Sequence, residues 1–280
     1  MLKKSLVYII GKGISAVLAI VFIPLYTKFL APQEYGISTI LLITIGFGST
    51  IFTFGLNTGF MVMYYKFDKE TSRKIFTLIH LLFLILLPIS LIICPFYTTG
   101  KLFFGSDFTL TRFWLISLTI LFYLYYNFYT AFLRVQQKPL LYVIFNISYT
   151  LVVGLLTLWF IVYMNLSYWS FLYSTFIGNF MFAIAGSVYY RGFFKKFSFR
   201  EQADNIRRLF RICWPILPTQ FANYLLNSGD KYILKLKRSS DEVGIYSISY
   251  KFGSLFESFL IGPFFESYNP VAYDTFANDI

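Results

Sequence analysis

Three apolar stretches of this chain carry polar side chains at helical spacing. Gln220, Asn223, Asn227 and Asp230 follow one another at intervals of 3, 4 and 3 residues, which stacks them along one face of a helix. Ser247, Lys251, Ser254 and Ser258 repeat the pattern at 4, 3 and 4, with Glu257 on the flank of the same helix. Near the start, Lys12, Ser15, Ala19 and Tyr26 lie along one side of a third stretch, and Pro24 marks a kink in it. A charged side chain in hydrocarbon costs ~2.5–3.5 kcal/mol on insertion scales, so such residues face a bundle interior or a wet cavity. The candidate cavity set is therefore Lys12, Ser15, Gln220, Asn223, Asn227, Asp230, Lys251, Ser254 and Glu257. An ammonium is a compact point charge, and two of them in a hydrated cavity suit an anionic headgroup. The competing reading for each lysine is a stem that snorkels to the interface.

Other chemistries find little to work with. His80 is the only histidine, without thiolates or carboxylates beside it, and Cys94 and Cys213 both sit in apolar surroundings. No metal centre or cofactor is expected from them. Metal-assisted group transfer at a membrane edge needs clustered carboxylates, and no Asp-Asp-x-x-Asp run exists. An enzyme is not expected.

These residues belong to long apolar elements. Of the 280 residues 57% are apolar and 13% charged, against about 45–50% and about 25% in soluble domains. So little charge cannot cover a water-exposed surface, and the class is an all-α membrane protein. Stretches of about 20 apolar residues span a bilayer as helices, and eight are expected, near residues 5–30, 37–65, 75–97, 113–133, 140–163, 168–190, 209–229 and 243–268. The first continues past Lys12 with no small-residue cleavage site, so it reads as a retained helix rather than a signal peptide. The net charge of +11 follows topology rather than nucleic-acid binding, because the 35 Phe and 23 Tyr are spread along the chain instead of interleaving with a basic patch. With the N-terminus inside, the inner segments hold 15 cations and the outer ones 7. Both termini are therefore expected to be cytoplasmic.

The longest polar stretch, residues 191–211, holds seven of those 15 inner cations between the sixth and seventh spans. An internal echo supports a division there: Glu34-Tyr35-Gly36-Ile37 matches Glu242-Val243-Gly244-Ile245 at an offset of 208. Both tetrapeptides fall at the turn of a helical hairpin, as in transporters built from parallel repeats. The expected organisation is a six-helix lobe over residues 1–190, a basic cytoplasmic linker over 191–208, and the first two helices of an incomplete second lobe over 209–280.

The quoted residues also carry a family pattern. Ile23-Pro24-Leu25-Tyr26 and Phe29-Leu30-Ala31-Pro32-Gln33-Glu34-Tyr35-Gly36 resemble the opening of the polysaccharide-transporter, or O-antigen flippase, family. Phe54-Gly55-Leu56-Asn57-Thr58-Gly59 with Tyr64-Tyr65-Lys66-Phe67 resembles that family's second-helix end. Asp230-Lys231-Tyr232-Ile233-Leu234, Glu242-Val243-Gly244-Ile245-Tyr246-Ser247 and Tyr250-Lys251 resemble its seventh-to-eighth helix signature. The resemblance implies an exporter of the multidrug/oligosaccharidyl-lipid/polysaccharide superfamily with two six-helix lobes around a central cavity. It implies a multi-pass protein of the bacterial cytoplasmic membrane that moves undecaprenyl-diphosphate-linked oligosaccharides outward, in concert with polysaccharide assembly proteins. Lys12 and Lys251 would then lie near the diphosphate, and the Asp230-Lys231 pair reads equally as an interface lock or a substrate contact. Two further expectations stay open beside it: a cation-coupled multidrug exporter, and an inactive truncated remnant, since the sequence ends two helices into its second lobe.

Overall fold

A computed structural model describes residues 2–66, 69–92, 104, 108–195, 203–256, 264–265, 268–269 and 271–272. Nine α-helices run through them: α1 (Leu2–Thr27), α2 (Pro32–Thr53), α3 (Leu56–Lys66), α4 (Lys69–Ile92), α5 (Leu110–Val135), α6 (Pro139–Val162), α7 (Ser170–Tyr189), α8 (Ala203–Lys237) and α9 (Ser240–Phe256). The all-α membrane class holds. Among the described residues, five helical stretches are long and apolar enough to cross a membrane: Leu6–Thr27, Pro32–Thr53, Leu110–Val135, Pro139–Val162 and Ser167–Tyr189.

Local chemistry sets several helix ends. Pro32 and Pro139 stand in the first turns of α2 and α6, where a missing N–H costs nothing and φ is already helical. The Glu34 carboxylate reaches back to the Ala31 N–H at 2.8 Å, and Thr109 caps α5 by accepting the Arg112 N–H at 3.4 Å. The single second span expected from sequence is split into α2 and α3, because Phe54 and Gly55 take positive φ, 51° and 71°. Two left-handed residues in succession interrupt the i→i−4 ladder, and glycine is the residue that adopts that region without strain.

The seventh span departs furthest from expectation. Rather than ending near residue 229, α8 is 35 residues long, with Pro215 and Pro218 inside it. A proline removes one ladder bond but need not end a helix whose flanks are packed. Here Gly55 and Gly59 lie so close to α8 that a Cβ on Gly59 would overlap Cys213 Sγ. That spacing is structural, as small residues at a helix interface usually are.

Three buried clusters hold the bundle. The largest joins α3, α4 and α5 through Phe60, Phe76, Phe128, Tyr129 and Phe132, with ring centroids of Phe76 and Phe132 4.9 Å apart. The second links Ile40, Leu41 and Ile45 of α2 to Ile116, Leu172 and Val243, and the third links Phe22 and Tyr26 of α1 to Tyr35, Ile161 and Phe171. Val243 belongs to α9, so α9 shares a core with α2, α5 and α7.

His80, whose apolar context suits either a packed or an interfacial side chain, is a packed core residue. Its Nδ1 faces the Phe76 carbonyl and its Nε2 the Tyr129 hydroxyl, each at 2.8 Å. A carbonyl only accepts, so the neutral ring carries its proton on Nδ1, and Nε2 accepts from Tyr129. Tyr129→Phe leaves that buried nitrogen unsatisfied, at about 1–3 kcal/mol. The variant is expected to melt several degrees lower in detergent; an unchanged melting temperature would show that the bond is not made. Asn146 bridges two helices, accepting from Tyr126 across α5 and α6 at 3.0 Å. Asn179, by contrast, is fully buried with neither amide atom partnered among the described residues.

Candidate functional site

The echoed tetrapeptides meet in space. They form the first turns of α2 and α9 rather than the connecting turns, and the two helices cross there. A Cβ on Gly36 would overlap the Ser240 carbonyl oxygen and crowd the Gly244 nitrogen; one on Gly244 would overlap the Pro32 carbonyl oxygen and crowd the Gly36 nitrogen. Pro32 pairs with Ser240, and Gly36 with Gly244, at the same offset of 208 that defines the echo. Each partner thus touches the other's counterpart, the signature of a self-complementary contact about a two-fold. The repeat seen in sequence is a pseudo-two-fold crossing in the fold. Glycine is required at both positions because a backbone, unlike a flexible side chain, cannot move aside.

Next to this crossing lies a cluster of charged and phenolic groups. The Lys251 ammonium of α9 donates to the Tyr35 hydroxyl of α2 at 2.8 Å and stands 5.3 Å from the centre of its ring. The Tyr35 ring itself is 1% exposed. The Lys251 head therefore reaches across the seam between α2 and α9.

Asp230 ties α8 to α9 one helix away. Its Oδ1 accepts the Lys231 N–H at 2.8 Å and lies 3.6 Å from the Lys231 ammonium, while its Oδ2 accepts the Tyr246 hydroxyl at 2.6 Å. Lys231 also donates to the Asn227 carbonyl at 3.1 Å, and its ammonium rests 3.9 Å from the centre of the Tyr250 ring. It is 6% exposed. A lysine this buried must be paired, and carboxylate, carbonyl and ring face together supply the pairing. Of the two readings of the Asp230-Lys231 pair, these contacts favour a tie within the α8–α9 hairpin. Asp230→Asn is expected to loosen the hairpin, seen as faster thiol labelling of a Val243→Cys reporter on α9, where the side chain is buried, while labelling no faster than in the Asp230 protein would contradict the tie.

The remaining expected site residues are placed unevenly. Gln220 is half-buried, with Nε2 3.5 Å from the Thr58 hydroxyl of α3. Asn223 and Asn227 are exposed and bonded to each other, the Asn227 amide donating to the Asn223 carbonyl at 2.8 Å. Ser15 and Ser247 bury hydroxyls that find no partner among the described residues. Lys12 and Ser254 lie on α1 and α9, but their side chains lie outside the described residues, and Glu257 lies wholly outside them. Sequence reasoning left two residues of the cluster out of the cavity set. Lys231 was legible as the i+4 partner of Asn227, and Tyr35 from its place inside the echo. The Tyr246-Tyr250 pair, also four apart, announces the ring faces that receive Lys231.

The fold is an all-α membrane one in which α2 and α9 meet about a pseudo-two-fold. The family model for polysaccharide biosynthesis proteins matches residues 1–275, and the chain belongs to that family. Solved structures share its fold. A chain called protein A superposes with a TM-score of 0.75 at 14% identity, over 99% of this chain and 65% of its own. The Vibrio cholerae MATE transporter VcmN does so with a TM-score of 0.67 at 13% identity, over 98% and 66%. A MOP-superfamily transporter from Pyrococcus furiosus, described as having a binding pocket of reverse polarity, gives 0.62 at 11%, over 97% and 68%. The present chain thus spans 65–68% of the length of these structures. No curated protein matches it.

Proposed function

We propose that this protein carries a polyprenyl-diphosphate-linked oligosaccharide across the bacterial cytoplasmic membrane by alternating access. Residues 1–190 form the first lobe, residues 191–208 the basic cytoplasmic connection, and residues 209–280 the opening of the second lobe. Both termini lie in the cytoplasm. The polyprenyl tail stays in the bilayer while the polar head crosses between the lobes, handed over from and to polysaccharide assembly proteins. The observation that carries this reading is the Lys251 ammonium at the α2–α9 seam, held by Tyr35 beside the pseudo-two-fold crossing. With the N-terminus inside, that crossing closes the outer end, and the seam must part there for release. The diphosphate would meet Lys251 below the crossing, with Lys12, Ser15, Gln220, Asn223, Asn227, Ser254 and Glu257 lining the path.

The second reading, cation-coupled drug export, has Asp230 in its favour as a carboxylate in a membrane helix. Its oxygens are taken up by Lys231 and Tyr246, which leaves it a poor ligand for a cationic drug. Binding separates the two. A short polyprenyl diphosphate is expected to raise the melting temperature of the purified protein by mass action, while the uncharged polyprenol leaves it unchanged. A shift with a lipophilic cation and none with the diphosphate would reverse the assignment.

A further inference from the structure

Away from the seam, α5, α6 and α7 enclose an apolar groove of about 260 Å³. Its floor is Tyr129, Phe145 and Phe182, and its rims are Leu141 on α6 and Ala185 and Tyr189 on α7. The rim residues are exposed, so the groove opens sideways, out of the bundle. One end is basic. Lys138 stands at the N-cap of α6, and its ammonium donates to the Tyr189 hydroxyl at 3.3 Å and sits 5.5 Å from the centre of that ring. The Lys138 backbone N–H bonds to the carbonyl of Leu133, another lining residue, at 3.0 Å. Arg191 follows α7 at the same end, and Arg134 stands over the Tyr142 ring at 5.8 Å. The first turn of α6 adds backbone N–H groups and the positive end of its dipole beside Lys138.

We infer that this groove is a binding site for an anionic phospholipid. One acyl chain lies between α6 and α7, and the headgroup phosphate rests on Lys138 at the basic end. Two features fix the occupant's chemistry. The groove is apolar and opens sideways, which suits a lipid chain and no soluble ligand. The cations are confined to one mouth, where a headgroup sits, and basic pockets between membrane helices bind anionic headgroups. Tyr189 serves both parts, its ring lining the groove and its hydroxyl holding the lysine. The site is separate from the substrate path and does not depend on the transport reading.

The test is retention of lipid by the purified protein, measured by native mass spectrometry after exchange into equimolar phosphatidylglycerol and phosphatidylcholine. The protein is expected to keep phosphatidylglycerol by about fivefold, the effect of one cation near the surface. Lys138→Gln should abolish that preference while lipid is still retained. Ala185→Trp should fill the groove and release both lipids, with the folded state confirmed by an unchanged elution volume in size-exclusion chromatography. Equal retention of the two lipids by the unaltered protein, or a preference that survives Lys138→Gln, would overturn the site. Displacement of phosphatidylglycerol by an equimolar polyprenyl diphosphate would also overturn it, reassigning the groove to the transported lipid.

Discussion

Replacing Gly36 with leucine is expected to force α2 and α9 apart at their crossing. The new side chain would occupy the space of the Ser240 carbonyl and the Gly244 nitrogen, and neither can turn away as a rotamer could. Overpacking against adaptable neighbours costs about 1–3 kcal/mol, and a backbone contact belongs at the upper end or beyond. The effect can be read locally at Val243, which is 0% exposed beside the crossing. A Val243→Cys reporter is expected to react with a maleimide about 100-fold faster with leucine at position 36, the change that about 2.8 kcal/mol of opening produces. Gly244→Leu should do the same. Because the two glycines form one contact, the double variant should fall short of additivity. Gly229→Ala is the control, since a Cβ there meets nothing within 4 Å among the described residues. Slow labelling in both leucine variants would mean that the crossing is not the seam between the repeats.

Removing the Lys251 ammonium should have the largest effect on transport. Lys251→Ala is expected to lower the outward movement of a lipid-linked oligosaccharide in proteoliposomes by about 100-fold, as loss of a charge-assisted bond worth ~2–3 kcal/mol implies. Lys251→Arg keeps the charge but changes the donor geometry, and should retain an intermediate rate. Tyr35→Phe removes only the hydroxyl that orients Lys251, so its loss should be smaller, about fivefold for a neutral contribution near 1 kcal/mol. The order Lys251→Ala, Lys251→Arg, Tyr35→Phe, from most to least impaired, separates the charge from its positioning. Equal rates in all three would remove Lys251 from the path.

Much of this arrangement is written in the sequence at the level of periodicity. The apolar runs locate the helices, and the tetrapeptide echo points to the contact between α2 and α9. The places where sequence misleads share a cause: tertiary packing outweighs a local signal. Pro215 and Pro218, with the charges beyond Asp230, suggest a short seventh helix, yet contact with α2 and α3 carries α8 through to Lys237. The break at Phe54 and Gly55 is hidden because an apolar run gives no sign of a left-handed pair. Lys231 looks like an interfacial cation from its place near the end of a span, and only the hairpin geometry reveals the ring and carboxylate that bury it. The Lys251 to Tyr35 contact joins residues 216 apart, a distance that no window of local pattern covers. The echo alone hints that these two segments belong together.

The central claim is that an anionic lipid headgroup crosses at the seam between α2 and α9. The most direct measurement is photo-crosslinking with a short lipid-linked oligosaccharide that carries a diazirine beside its diphosphate, followed by peptide mapping. Adducts are expected on α2 around Tyr35 and on α9 around Lys251, reduced in Lys251→Ala and competed by unlabelled diphosphate but not by polyprenol. Adducts confined to the outward faces of α6 and α7, with the peptides carrying Tyr35 and Lys251 unlabelled, would contradict the account.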